Sequence, residues 1–226
     1  NEFFKPVAEI RREKIFKPRA EEISNYVKKG NNFVMGDIGA GFGLFLEEIR
    51  KLRPEFTCVA IEPSLEMANI CRNKGFLVYD RSLEEMNNCN NSFNFLTAFE
   101  LLEHLFNPLQ FLLKARELLK LEGYLLITTL NGQGFDIQLL WEKSKSVSPP
   151  HHLNLFNLGS ISILIKRAGF EIEEFSTPGR LDWDIVEGMI KNDNINLGKF
   201  WRLLAYKDSK KCKDDFQNWI SKYQLS

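Results

Sequence analysis

The stretch Phe33-Val34-Met35-Gly36-Asp37-Ile38-Gly39-Ala40-Gly41-Phe42-Gly43-Leu44-Phe45-Leu46 decides the fold. Its first half is a short, mostly apolar run, as in a strand covered on both faces. Its second half begins a helical spacing of apolar residues: Phe42, Phe45, Leu46 and Ile49. Between them stand Gly39, Gly41 and Gly43. Glycine accepts the left-handed backbone of a tight turn and lets backbone N–H groups approach a ligand closely. The loop reads D-x-G-x-G-x-G. A dinucleotide fingerprint needs its third glycine five residues after the first, and that position is Leu44.

Working outward, strands and helices alternate. Strands are expected at Phe56–Ile61, Phe76–Tyr79, Phe93–Phe99, Tyr124–Thr129 and Phe170–Phe175. Helices are expected at Ser64–Asn73 with Gly75 as its stop, at Asn107–Lys120 with Pro108 in the first turn, and at Asn157–Ala168 closed by Gly169. This is the pattern of an α/β, doubly wound, mostly parallel sheet, which binds ligands at the carboxyl ends of its strands. Val7–Lys29 reads as a helix stopped by Gly30-Asn31-Asn32. The tail from Leu181 carries Trp183, Trp201 and Trp219 among charges and reads as helices, with Lys207–Lys213 as a solvated loop. The expected division is an N-terminal helical extension over 1–30, an α/β core over 31–180 and a C-terminal helical segment over 181–226. No strand-like run follows Phe175, so a last antiparallel strand is expected to be absent, leaving an open sheet edge.

The 226 residues are 44% hydrophobic and 27% charged, an ordinary globular composition. Thirty basic residues balance thirty acidic ones, which argues against a nucleic-acid partner. No run of 18 apolar residues suggests a membrane span. The start lacks both an initiator Met and the charged-then-apolar pattern of a signal peptide. Cys58, Cys71, Cys89 and Cys212 are too scattered for a metal knuckle or redox pair, and read as reduced thiols of a cytoplasmic protein.

Glu62 follows Val59-Ala60-Ile61 about 20 residues past the loop, where an acid accepts hydrogen bonds from ribose hydroxyls. With loop, acid and alternation in place, the chain resembles the class I S-adenosylmethionine-dependent methyltransferases from about Asp37 to Phe175. Val34–Gly43 is similar to their first motif and Val59–Ala68 to their second. Ala98-Phe99-Glu100-Leu101-Leu102-Glu103-His104-Leu105 is similar to the segment after strand four, and Leu121–Leu125 to the turn into strand five. Pro149-Pro150-His151-His152-Leu153-Asn154-Leu155-Phe156 resembles small-molecule methyltransferases found with polysaccharide and nucleotide-sugar biosynthesis.

The resemblance implies a Rossmann-like methyltransferase fold, S-adenosylmethionine as cofactor and a set of roles. Gly39, Ala40, Gly41 and Gly43 would pass close to its methionine and ribose. Asp37 would organise the loop or reach the amino group. Glu62 would hold the ribose diol, with Pro63 and Ser64 beside the adenine. Arg81, Ser82 and Leu83 stand where the family contacts the adenine edge; many members carry an acid at the position of Ser82, and Asp80 is a substitute. Phe99 would line the methionine pocket. Arg19 would reach the carboxylate, although a plain surface charge is the preferred reading. His104 would pack near the cofactor or cap the following helix.

Methyl transfer is an in-line displacement, in which the protein supplies alignment and excludes water. A hydroxyl acceptor also needs a base. His151 and His152 lie after strand five, at the expected ligand edge, and are the candidate base. A metal site from the three histidines is not expected, since no i, i+4 pair or carboxylate spacing supports it. Gly132–Val147 and the C-terminal helices are expected to cover the acceptor, with Phe135, Trp141 and Trp183 as stacking candidates or plain core. The acceptor is read as a small molecule, a sugar or a related metabolite methylated on a hydroxyl. Oligomeric state is left open. Competing readings are a binding or scaffold subunit on the same fold and a nicotinamide dehydrogenase, which Leu44 argues against. A base methyltransferase would carry an Asn/Asp-Pro-Pro-aromatic tetrad where Phe99-Glu100-Leu101-Leu102 stands.

Overall fold

A computed structural model describes residues 4–27, 32–179, 182–193, 195–207 and 209–226. These residues group into two compact units. The first runs through Leu102 and includes Asn107–Thr128; the second comprises Glu103–Phe106 and Thr129–Ser226.

In the first unit the apolar runs form β1 (Val34–Ile38), β2 (Thr57–Ile61), β3 (Leu77–Tyr79), β4 (Phe93–Phe99) and β5 (Leu119–Thr128). They make one parallel sheet in the order β3-β2-β1-β4-β5. The chain moves from β1 out to β3 on one side, then restarts with β4 on the other. The switch point is therefore between β1 and β4, with the glycine loop at its carboxyl end. Gly36, in β1, serves close packing: a Cβ there would stand 2.7 Å from Leu96 and 2.9 Å from Phe93.

Helices α1 (Phe4–Arg11) and α2 (Lys17–Tyr26), joined by a π-helical turn at Arg12–Phe16, precede the sheet. α3 (Leu44–Leu52), α4 (Leu65–Asn73) and α5 (Pro108–Leu118) follow β1, β2 and β4. Phe45, Leu46 and Ile49 of α3 share a buried cluster with Met35, Ala60 and Phe95 of the strands and Ala20 and Ile23 of α2. Each such large side chain is worth about 1.5–3 kcal/mol. The N-terminal helix is thus part of this core. Glu48 is also buried on α3, and its Oε1 accepts from Arg12 at 2.5 Å and Lys51 at 2.7 Å.

The second unit holds α6 (Phe135–Leu140), α7 (Leu158–Arg167), α8 (Asp182–Asn192), α9 (Lys199–Ala205) and α10 (Lys210–Lys222). Its core is Leu140, Trp183, Val186, Met189, Ile190 and Ala205, with Phe135, Trp201 and Phe216 against it.

Four expectations need correction. Phe170–Phe175 is not a strand: it makes no ladder, and Glu171, Glu173, Glu174 and Phe175 are exposed. Three glutamates in six residues leave too little apolar surface to bury it. The helix expected over Asn107–Lys120 ends at Leu118, and Leu119 already pairs with Phe93; the chain then bulges at Glu122, φ 61°, before Tyr124 rejoins the ladder opposite Phe95. The N-terminal helix is interrupted by a π turn, and its expected Gly30-Asn31 stop lies outside the described residues. Within Lys207–Lys213, Lys210, Lys211 and Lys213 open α10; Ser209 caps it by accepting from the Cys212 N–H, and Lys213 pairs with Glu187.

Candidate active site

The glycine loop takes the backbone its residues permit. Gly39, Gly41 and Gly43 have φ of +70°, +54° and +70°. The Gly39 N–H donates to the Ile61 carbonyl at 2.8 Å, tying the loop to the end of β2. The three positions differ in their surroundings. A Cβ on Gly43 would meet Cys71 Sγ at 3.0 Å and Phe76 at 3.3 Å, whereas one on Gly41 would meet nothing within 4 Å. Gly43 is a packing glycine at the start of α3, and Gly41 borders open space.

Glu62, at the end of β2, is buried and spans the loop. Its Oε2 accepts from the Gly41 N–H at 2.7 Å and its Oε1 from the Ser64 N–H at 2.9 Å. A carboxylate has about four acceptor positions, so each oxygen keeps capacity for a hydroxyl. Asp37 sits in β1, 3% exposed, and its Oδ1 accepts from Thr97 Oγ1 at 2.7 Å. Burial pushes the Asp37 carboxyl up to about 7; the Thr97 hydrogen bond opposes this, the Glu62 charge adds to it, and Arg19 opposes it. Thr97 has one proton and a second acceptor, the Gly36 carbonyl at 3.3 Å, which a neutral Asp37 would leave it free to serve.

Arg19 is not a surface charge. Its guanidinium lies 4.7 Å over the Phe99 ring, and its Nη2 donates to Glu100 Oε1 at 3.2 Å. Its Nη1 is buried and makes no hydrogen bond among the described residues. Glu100 balances the charge, but a buried N–H left without an acceptor still costs about 1–3 kcal/mol, which an anionic ligand would relieve. Glu100 in turn accepts from Thr128 Oγ1 at 2.8 Å, and Phe99 packs edge-on to Phe45 at 4.8 Å.

At the expected adenine edge, Ser82 is occupied with capping: its N–H and hydroxyl both donate to Glu85 Oε2. Asp80 pairs with Arg72 at 2.7 Å, which holds its carboxyl below the usual range. Leu83 is buried, while Pro63 and Arg81 are exposed.

Thr97, Glu100 and Thr128 were not among the expected site residues. Thr97 had a signal, a polar residue amid the apolar run of β4; the other two acquire meaning only through the pairing of β4 with β5.

The second unit brings together residues that the chain keeps apart. His104, His151 and His152 place their ring centroids 4.5–4.9 Å from one another. His104 does not cap the following helix: Asn107 does, its side chain accepting from the Gln110 N–H. His104 Nδ1 instead meets the His151 carbonyl at 2.8 Å, and His152 Nδ1 meets the Ser146 carbonyl at 2.8 Å. A carbonyl only accepts, so both Nδ1 atoms carry the proton and, in the neutral ring, Nε2 carries the lone pair. The Glu103 carbonyl accepts from the N–H groups of Leu153 and Asn154, which ties the two segments together.

Of the stacking candidates, Phe135 and Trp183 are core, each 5.4 Å from the Phe216 ring. Trp141 is exposed and, with Gln133, Ile137, Glu142 and Asn157, borders a cavity of about 330 Å³. Its φ of +49° is rare for a bulky residue and costs roughly 1–3 kcal/mol.

The family described as a methyltransferase domain matches residues 8–174. The chain belongs to that family. This methyltransferase is 24% identical over 157 residues to an uncharacterised protein of Methanocaldococcus jannaschii, covering 70% of this chain and 72% of that one. Its fold is similar to that of a SAM-dependent methyltransferase, a "possible histamine N-methyltransferase", of Thermotoga maritima: TM-score 0.58, 21% identity, 72% of this chain and 74% of the other. It is likewise similar to phosphoethanolamine N-methyltransferase 2 of Haemonchus contortus, solved with S-adenosyl-L-methionine: TM-score 0.61, 21% identity, 89% of this chain but 47% of the longer enzyme. The Rossmann-like methyltransferase fold that the family resemblance implies is the one observed. Among the described residues, no helix is long and apolar enough to cross a membrane.

Proposed function

We propose that this methyltransferase transfers a methyl group from S-adenosylmethionine to a hydroxyl of a small molecule, a sugar or related metabolite. The observation that carries the cofactor assignment is the buried, unpartnered Nη1 of Arg19, a cationic donor suited to the cofactor's carboxylate. In this reading Arg19 holds the carboxylate, Asp37 the amino group, Glu62 the ribose hydroxyls, and the loop Gly39-Ala40-Gly41-Gly43 lies along the methionine and ribose. Phe99 lines the methionine side. Pro63, Ser64, Arg81, Ser82 and Leu83 frame the adenine; Ser82 does so by packing, because its N–H and hydroxyl are both engaged with Glu85. His104 belongs to this proposed set on the family resemblance alone. The bound cofactor supplies an already activated methyl group, so the protein's task is alignment and exclusion of water.

The acceptor reading draws on the second unit. The cavity beside Trp141 offers an aromatic face with Gln133, Glu142 and Asn157 nearby, the combination a sugar ring favours. His151 and His152 take the hydroxyl proton, and the lone pair on His152 Nε2 suits a base. The proposed cofactor residues other than His104 all lie in the first compact unit, whose core the N-terminal helix shares; a cytoplasmic location completes the proposal, and the cysteines are all free, as a reducing compartment keeps them.

Arg19→Met tests the carboxylate assignment. It keeps apolar bulk against Phe99 and should weaken cofactor affinity by about 10–100-fold in calorimetry. Unchanged affinity would remove Arg19 from the site.

A further inference from the structure

The convergence of the three histidine rings is more than a single general base requires. One ring nitrogen from each of His104, His151 and His152 lies within 4.8 Å of the other two. Three imidazoles on one tetrahedral ion stand about 3.3 Å apart, given bonds of about 2.0–2.1 Å. The gaps therefore have to close by at most about 1.5 Å. His151 is the least constrained of the three: it is exposed, and its ring makes no hydrogen bond among the described residues.

The other two rings are already held as metal-ligating histidines are held elsewhere. Each donates Nδ1–H to a backbone carbonyl, which fixes its orientation and reserves Nε2 for a ligand bond. The carbonyls come from the same short loop, those of Ser146 and His151, so loop and rings form one frame. The hydrogen bonds from Leu153 and Asn154 to the Glu103 carbonyl, and from Asn154 Nδ2 to the Leu105 carbonyl at 2.7 Å, join that frame to the segment carrying His104.

We infer that His104, His151 and His152 bind one divalent transition-metal ion, with zinc the best match, and leave a coordination position open for water or an acceptor oxygen. Three neutral nitrogens with no carboxylate among them select imidazole-preferring ions such as zinc and cobalt over magnesium or calcium. Three protein ligands with an open position is the arrangement of a working rather than a purely structural site. The inference goes beyond the methyl-transfer reading: ion binding needs neither cofactor nor acceptor. With an ion bound, His151 and His152 would be ligands and not bases, so the inference replaces that part of the methyl-transfer reading: the ion would acidify a coordinated hydroxyl, as it does water.

The test uses the full chain after chelator treatment and dialysis. Co²⁺ is titrated with visible absorption as readout, and Zn²⁺ by calorimetry. Expected is binding of one ion per chain at micromolar concentration or tighter, with the intense visible bands of four- or five-coordinate cobalt. His151→Ala, at an exposed position, should weaken it by about ten-fold or more, as should His104→Asn; circular dichroism confirms that each variant is folded. Absence of one-to-one binding by the folded parent would overturn the inference, as would binding that survives both substitutions. S-adenosylmethionine titrated into the same samples reads the cofactor site separately, so failure of one assignment is distinguished from failure of the other.

Discussion

The glycine loop and the histidine cluster are two concentrations of chemistry built in opposite ways. The loop is a local device. Asp37 to Gly43 are neighbours in the chain, and Glu62 meets them because β2 lies beside β1 in register. The cluster is assembled across the chain: His104 and His151 are 47 residues apart, and hydrogen bonds at Glu103, His104 and Leu105 bring their segments together. A site made from one turn and one strand end is tied to the fold itself. A site made from two loops depends on the frame around it, which is where relatives on one fold are free to diverge.

The sharpest separation of the two regions is the double replacement His151→Ala, His152→Ala. It should lower turnover by about 10²–10⁴-fold while leaving cofactor affinity within about two-fold. A loss of less than a few-fold in turnover would show that the cluster takes no part in handling the acceptor proton.

A second experiment addresses Asp37. Its carboxyl, at about 7 in the folded chain against 3.8 in the unfolded one, binds its proton more tightly when folded. Folded stability therefore falls as pH rises from about 4 to about 7, by up to about 4 kcal/mol in total, and stays low above that. Asp136, raised to about 6 by burial and by the Asp182 charge, contributes with the same sign. Urea unfolding without cofactor should find the parent losing about 2–3 kcal/mol more than Asp37→Asn between pH 5 and pH 8. Equal pH dependence in the two proteins would contradict the burial of this acid.

The smallest effects come from within the loop. Gly43→Ala should cost about 1–3 kcal/mol of stability, since the added methyl meets Cys71 and Phe76 on a left-handed backbone. Gly41→Ala has room for its methyl and should cost only about 1 kcal/mol of stability from its φ, with a larger proportional loss of cofactor affinity. Reversal of that order would mean the two glycines exchange roles.

The sheet was legible because buried parallel strands are near-continuous apolar runs, and Val34–Ile38, Thr57–Ile61 and Phe93–Phe99 are of that kind. The run at Phe170–Phe175 misled because alternating Phe and Ile positions imitate a strand, while its glutamates keep the segment in water. Arg19 has the sequence context of a surface charge, because a helix full of charges gives no local hint that one of them turns inward over Phe99. The histidine cluster was illegible for a further reason. Spacing rules detect ligands carried on one helix or one knuckle, and this cluster depends on backbone hydrogen bonds between distant loops.

The central claim is that the loop and Glu62 form a working S-adenosylmethionine site. Calorimetric titration with S-adenosylmethionine and its demethylated product, on the parent and on Glu62→Ala, tests it most directly. The account predicts micromolar binding by the parent and a loss of about ten-fold or more in the variant, about 1.4 kcal/mol. No binding by a folded parent, or equal binding by both proteins, would contradict it and favour a scaffold that keeps the fold without the chemistry.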